Sequence, residues 1–284
     1  MVDALIMLNN RQKCLYYYIQ KSESCSKIKL AKVFFCMNYE SKINEKFKFY
    51  GFLPYKFGPY SFELFHDAET MKSEGYFKEE NNDFIFQAGD VNISPYVKKF
   101  VNQYLLRFSS MNEKELIKYV YDKYPEYTIF SEIRRESNYL KDLTGIYTTG
   151  YEGLSIDEFL MKLIREKVDY LIDIRNNPWS MKFGYCKNDL GVFCDKIGIE
   201  YNSMPSLGIT SDLRKNLEEK EDYEKLFSFY SKYLRDKQED IEFLKKLSEK
   251  KRVALMCFEK DPEYCHRNIL AKELEKHGAE VEIN

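Results

Sequence analysis

Near the C-terminus, Cys257 and Glu259 stand two residues apart, and Cys265-His266-Arg267 follow at short range. A cysteine at a helix start beside a histidine and an arginine has physical reasons to be partly thiolate. An arginine there can grip a phosphate or carboxylate with two parallel hydrogen bonds. Glu259 and, further upstream, Asp173 are candidates for proton transfer. Asp173 and Arg175 are also two apart, so on a strand they share a face. A third polar segment, Thr148-Thr149-Gly150-Tyr151-Glu152-Gly153, carries two glycines close to a helix start.

Each signal has a plainer reading. Cys257 lies in an apolar run, where a buried structural cysteine is common. Asp173 and Arg175 can simply form an ion pair, and His266 can be a structural hydrogen-bonding residue. Cys257 and Cys265 can pair as a redox disulfide. With His266 they can also bind zinc, but the spacing is not the paired Cys-x-x-Cys of structural zinc, so the sequence reading assigns no metal. His66 and His277 read as structural.

These residues need a scaffold. After about Leu143 the chain alternates short apolar runs with amphipathic helices. The expected strands are Gly145–Thr149, Tyr170–Arg175, Ile199–Met204, Val253–Phe258 and Glu280–Ile283. Ser155 and Glu158 form a capping box for a helix to about Glu166. Further helices are expected over Asn188–Ile197, Tyr223–Leu234 and Glu239–Glu249, and one opens at Asp261-Pro262 and ends at Gly278. This pattern predicts a mostly parallel sheet with helices on both faces, where ligands bind beyond the carboxyl ends of strands. Asp173, Arg175, Cys257, Glu259 and Arg267 are then expected around one pocket.

Before Leu143 the apolar residues recur at helical spacing. Arg11–Gln20, Lys27–Tyr39, Ser61–Ser73, Ser94–Phe108 and Asn112–Tyr124 read as helices. Lys56–Tyr60 reads as a turn. Tyr76–Glu79 and Asp83–Phe86 read as a hairpin around Glu80-Asn81-Asn82. Helices followed by a small hairpin are the order of a winged helix. The fold class expected is α/β, with domains over 1–143 and 144–284.

The charge is polarised along the chain. Arg11–Lys56 holds ten basic residues and three acids, a net +7, whereas Ser61–Asp90 holds two lysines and eight acids, a net −6. Tyr16, Tyr17, Tyr18, Phe34, Phe35, Phe49 and Tyr50 are interleaved with the basic residues. Such a mixture suits DNA or RNA, with Lys27, Lys29, Lys32, Lys46 and Lys48 as phosphate contacts. Alternatively, the aromatics are a small core and the lysines solvate it.

Over all 284 residues the chain is 44% apolar and 32% charged, with net charge −2, which is globular composition. No apolar run reaches about 18 residues, and no basic segment precedes the N-terminal apolar residues, so neither a membrane span nor a signal peptide is expected. Seven cysteines without a secretion signal read as reduced thiols, and the expected compartment is the cytoplasm.

The second half resembles family 488 of the domains of unknown function. The resemblance is carried by Tyr147-Thr148-Thr149-Gly150-Tyr151, Ser155, Phe159, Asp173-Ile174-Arg175, Pro178, Ser180, Gly198-Ile199, Tyr201 and Leu207-Gly208. It closes with Leu255-Met256-Cys257-Phe258-Glu259 and Cys265-His266-Arg267. It implies an α/β fold and no established reaction or cofactor. Tyr151 stands where the family is expected commonly to carry His, so an acid/base role at that turn does not carry over. The first half is similar to the Panacea antitoxin-like domain through Leu15-Tyr16-Tyr17, Tyr55–Tyr60 and Tyr124-Pro125-Glu126-Tyr127, which implies a helical regulatory or protein-binding module.

The functional expectation is an enzyme, a hydrolase or transferase, acting on a phosphorylated or nucleic-acid-derived ligand. Its catalytic residues would be drawn from Asp173, Cys257, Glu259, Cys265 and His266. Thr149, Gly150, Tyr151, Arg175 and Arg267 would hold the small anionic ligand, and the first domain would recruit nucleic acid or a protein. The alternative is a non-enzymatic, antitoxin-like regulator that senses a ligand in the same crevice.

Overall fold

The structure is a computed structural model, and it describes residues 8–134, 139–215, 217 and 219–284. The chain divides into two compact units, Met1–Asn138 and Tyr139–Asn284, five residues before the expected boundary. Among the described residues no helix is long and apolar enough to cross a membrane.

The first unit is mainly helical, with α1 (Asn10–Ser22), α2 (Lys27–Tyr39), α3 (Phe62–Ser73), α4 (Pro95–Arg107) and α5 (Glu113–Lys123). Asn9, Ser26, Ser61, Ser94 and Asn112 each accept a hydrogen bond from a backbone N–H in the first turn of the helix that follows. Strands β1 (Ser24–Ser26), β4 (Phe77–Glu80) and β5 (Asp83–Phe86) form an antiparallel sheet in the order β1-β5-β4. Asn81 and Asn82 both take positive φ, 53° and 68°, and so close the expected hairpin with a two-residue turn. The expected turn at Lys56–Tyr60 is the tip of a second hairpin, β2 (Leu53–Tyr55) and β3 (Gly58–Tyr60).

Tyr16, Tyr18, Phe34, Phe35, Phe49, Tyr50 and Phe52 are buried and form the core of this unit. The basic and acidic stretches pair with each other: Arg11 meets Glu63 and Asp67, and Lys27 meets Glu79 at 2.6 Å and Glu69 at 3.7 Å. Lys32 corrects a sequence expectation. It is 2% exposed, and its Nζ donates to the carbonyls of Phe57 and Pro59, so it does not face a phosphate. Lys46 and Lys48 are exposed, and Lys29 is half-buried.

The second unit is built on five parallel strands in the order β10-β6-β9-β7-β8. They are β6 (Gly145–Gly150), β7 (Tyr170–Asp173), β8 (Glu200–Ser203), β9 (Arg252–Cys257) and β10 (Val281–Glu282). Helices α6 (Ile156–Arg165), α7 (Lys187–Lys196), α8 (Lys220–Tyr233), α9 (Gln238–Ser248) and α10 (His266–Lys276) flank the sheet. Every residue of β6 and β9 is buried, as expected for parallel strands covered on both faces. Val253, Leu255 and Cys257 alternate along β9 and pack with Leu226, Tyr230, Leu244, Leu270 and Leu274 from α8, α9 and α10.

Two elements differ from expectation. β7 ends at Asp173; the Ile174 N–H still reaches the Met256 carbonyl at 3.1 Å, and the Arg175 N–H turns back to the Asp173 side chain, also at 3.1 Å. The single helix expected from Asp261 is broken. Asp261 caps a 3-10 turn, Pro262–Tyr264, and Cys265 is then extended (φ −125°, ψ 135°) as the N-cap of α10.

Candidate functional site

The carboxyl ends of β6, β9 and β7 lie side by side, with Gly150 opposite Cys257 and Asp173 opposite Met256. Two polar clusters form along this edge.

The first is centred on Asp173, which is fully buried. Arg175 donates from Nε to Oδ1 at 2.9 Å and from Nη2 to Oδ2 at 2.6 Å. Tyr201 donates its hydroxyl proton to Oδ2 at 2.8 Å. The remaining Arg175 bonds go to the Tyr151 hydroxyl and the Tyr185 carbonyl, each at 2.9 Å, and the rings of Tyr151 and Tyr185 stack at 4.1 Å. Both members of this ion pair are buried and well partnered, the arrangement a buried pair needs if it is not to cost stability.

The second cluster holds the thiols. Cys257, at the end of β9, is 1% exposed. Its Sγ lies 3.1 Å from Glu259 Oε2 and 3.7 Å from His266 Nδ1. Arg214, in the 3-10 turn Ser211–Arg214, donates to Glu259 Oε1 at 2.6 Å and to His266 Nδ1 at 2.7 Å. His266 Nε2 faces the Ile174 carbonyl at 3.2 Å. These partners assign the proton to Nε2 and leave the Nδ1 lone pair turned toward Arg214 and the thiols. Cys265 completes the group, since its sulfur, that of Cys257 and a ring nitrogen of His266 all lie within 4.8 Å of one another.

The electrostatics separate the two thiols. Burial alone would raise both. At Cys257 the hydrogen bond from Cys265 and the nearby Arg214 guanidinium work against burial, and the thiol is held well below its usual range. Burial and the neighbouring Cys257 push Cys265 well above it. Burial and Cys257 also raise the Glu259 carboxyl, against the pull of Arg214. Across the Cys257–Glu259 contact the two shifts thus run toward each other. This cluster can present a thiolate at the end of β9, beside the first residues of α10.

The expected single pocket is thus two neighbouring clusters, one holding Asp173, Arg175 and Tyr151, the other Cys257, Glu259, Cys265 and His266. Arg267 joins neither. It is fully buried and donates to the backbone carbonyls of Glu259, Lys260 and Asn284, so it pins the chain after β9 rather than presenting a grip for an anion. At Gly150 a Cβ would meet the Glu259 carbonyl oxygen at 1.8 Å, so the glycine lets β9 exit against β6. Thr149 is buried, and its hydroxyl has no hydrogen-bond partner among the described residues. Arg214 and Tyr185 are the residues that sequence reasoning missed. Each sits in an irregular segment where no periodicity marks it.

Residues 155–274 match the family described as Domain of unknown function DUF488. The matched segment holds every side chain of both clusters except Tyr151. No curated protein and no solved structure matches the chain.

Proposed function

We propose that the second unit is an enzyme, a hydrolase or transferase, whose reactive group is the Cys257 thiolate. One observation carries the reading: a cysteine at a strand end is ringed by a carboxyl at 3.1 Å, an imidazole at 3.7 Å and a second thiol, with an arginine bridging carboxyl and imidazole. In this reading the thiolate attacks an electrophilic centre, and Glu259 delivers a proton to the leaving group. Arg175 and Arg267 are held within the protein, so a phosphorylated or nucleic-acid-derived ligand would be met by Arg214, which would exchange its bond to Glu259 or His266 for one to the ligand. The Asp173–Arg175 pair is a positioning element that holds the neighbouring strand ends.

The first unit would recruit a partner. Its order of helices and its β1-β5-β4 sheet support a winged-helix-like, Panacea-like reading. The internal pairing of Arg11 and Lys27 and the buried aromatics favour a protein partner over nucleic acid.

Timed alkylation of the full chain with iodoacetamide, followed by peptide mapping, tests the reading. Cys257 should react faster than the partly exposed Cys186, and a phosphorylated ligand from a nucleotide and sugar-phosphate panel should protect it. A Cys257 that reacts no faster than Cys186 would overturn it.

A further inference from the structure

We propose that Cys257, Cys265 and His266 together bind a zinc ion. One ligand atom from each residue lies within 4.8 Å of the other two, and all three residues are buried. The 3.7 Å between Cys257 Sγ and His266 Nδ1 is close to the edge of a tetrahedron built on Zn–S of about 2.3 Å and Zn–N of about 2.0–2.1 Å. The histidine is also held as a metal ligand usually is. Its Nε2–H is tied to the Ile174 carbonyl at 3.2 Å, which turns the Nδ1 lone pair inward. Two soft thiolates and an imidazole suit zinc over magnesium or calcium. Two thiolates, a neutral imidazole and Zn2+ sum to zero charge, which suits a buried place.

The sequence spacing hid this set. Cys265 and His266 are adjacent at the start of α10, and the sheet, not a short loop, brings Cys257 to them. Loading leaves both thiols deprotonated, releases their protons to solvent and requires Arg214 to leave His266 Nδ1. On the proposed function Cys257 is also the reactive group. Zinc and an electrophile then compete for one sulfur.

The test titrates the metal-free full chain with Co2+ as a spectroscopic probe, then with Zn2+. One equivalent of Co2+ should give a thiolate charge-transfer band and tetrahedral visible bands, which Zn2+ bleaches. Zinc loading should slow Cys257 alkylation by at least about tenfold, as a metal-bound sulfur is withdrawn from attack. Cys265→Ser should keep the fold, since serine is the better N-cap, yet weaken metal binding by at least about 10–100-fold, the cost seen even for second-shell changes. Cys186→Ser should change neither readout. Arg214→Ala should bind more tightly, because the donor competing for Nδ1 is gone. An absent thiolate band, or a band undiminished in Cys265→Ser, overturns the zinc site. Fast, low-pH alkylation of Cys257 with no metal binding removes the zinc site and leaves the enzyme reading standing. Metal binding beside an ordinary, slow Cys257 supports the site and removes the thiolate reading.

Discussion

The His266 Nε2–H reaches the carbonyl oxygen of Ile174 at 3.2 Å, and Ile174 lies between Asp173 and Arg175 in the chain. One hydrogen bond thus ties the start of α10 to the strand end that carries the buried ion pair. Through it the thiol cluster and the Asp173 cluster share a backbone, although their side chains are partnered separately.

The ion pair should behave as a structural unit. Asp173→Asn leaves the Arg175 guanidinium buried beside a neutral amide, and losing one partner of a buried pair costs about 3–5 kcal/mol. Tyr201→Phe removes a hydrogen bond to a charged acceptor and should cost about 1.5–3 kcal/mol. Urea unfolding of both variants checks the order, and equal losses would contradict it.

Gly150 should tolerate no side chain. In Gly150→Ala the new methyl meets the Glu259 carbonyl at 1.8 Å, which is backbone and cannot swing away. Overpacking of this kind costs about 1–3 kcal/mol or more. The displaced segment carries Glu259, so the alkylation rate of Cys257 should change in the same variant. Wild-type stability and an unchanged rate would show that the strand exit adapts freely.

Lys32 offers a pH signature in the first unit. Burial pulls its ammonium down to about 7, and the neutral amine has two N–H groups for the two carbonyls it meets. The unfolded lysine titrates at about 10.4. Between these values the unfolded chain holds the extra proton, so stability rises as pH climbs from about 7 and levels off above about 10. In Lys32→Met this climb should be smaller by up to about 1.4 kcal/mol per pH unit. Parallel slopes in urea titrations across that range would show that Lys32 stays charged when folded.

Helix ends were the most legible feature of the sequence. Ser155 with Glu158 starts a helix where the residue types demand, and in the first half the structure adds caps such as Asn112 with Glu115 at the helix starts that apolar spacing had marked. The continuous apolar run of β9 marked a buried parallel strand for the same reason. The break before α10 was hidden, because Asp261-Pro262 is a good helix start and only the extended Cys265 shows that the first turn is not continued. Arg214 was also hidden, since it acts on Glu259 and His266, more than forty residues away, from an irregular turn. Lys32 looked exposed because charge usually means solvent, but the neighbouring hairpin supplies two carbonyls at its tip. The polarised charge was legible, and its mutual cancellation in the fold, through Arg11 and Lys27, became visible only in three dimensions.

That cancellation bears on the partner. Each phosphate contacted on duplex DNA contributes about 0.9 to the slope of log K against log salt. With Lys32 buried and Lys27 paired, three of the five expected contacts are left, so the slope for the full chain on duplex DNA should not exceed about 2.7. A slope near about 4.5, the value for all five, would restore nucleic acid as the partner of the first unit.

The most direct test of the thiolate is the pH dependence of Cys257 alkylation in the metal-free full chain, read by peptide mapping. The reaction midpoint should fall well below the ordinary thiol value of about 8.5. It should stay low in Cys265→Ser, whose hydroxyl still donates to the sulfur, and rise in Cys265→Ala, which has no donor. A midpoint at or above about 8.5 in the wild-type chain would contradict the account, because Cys257 would then be a buried structural cysteine.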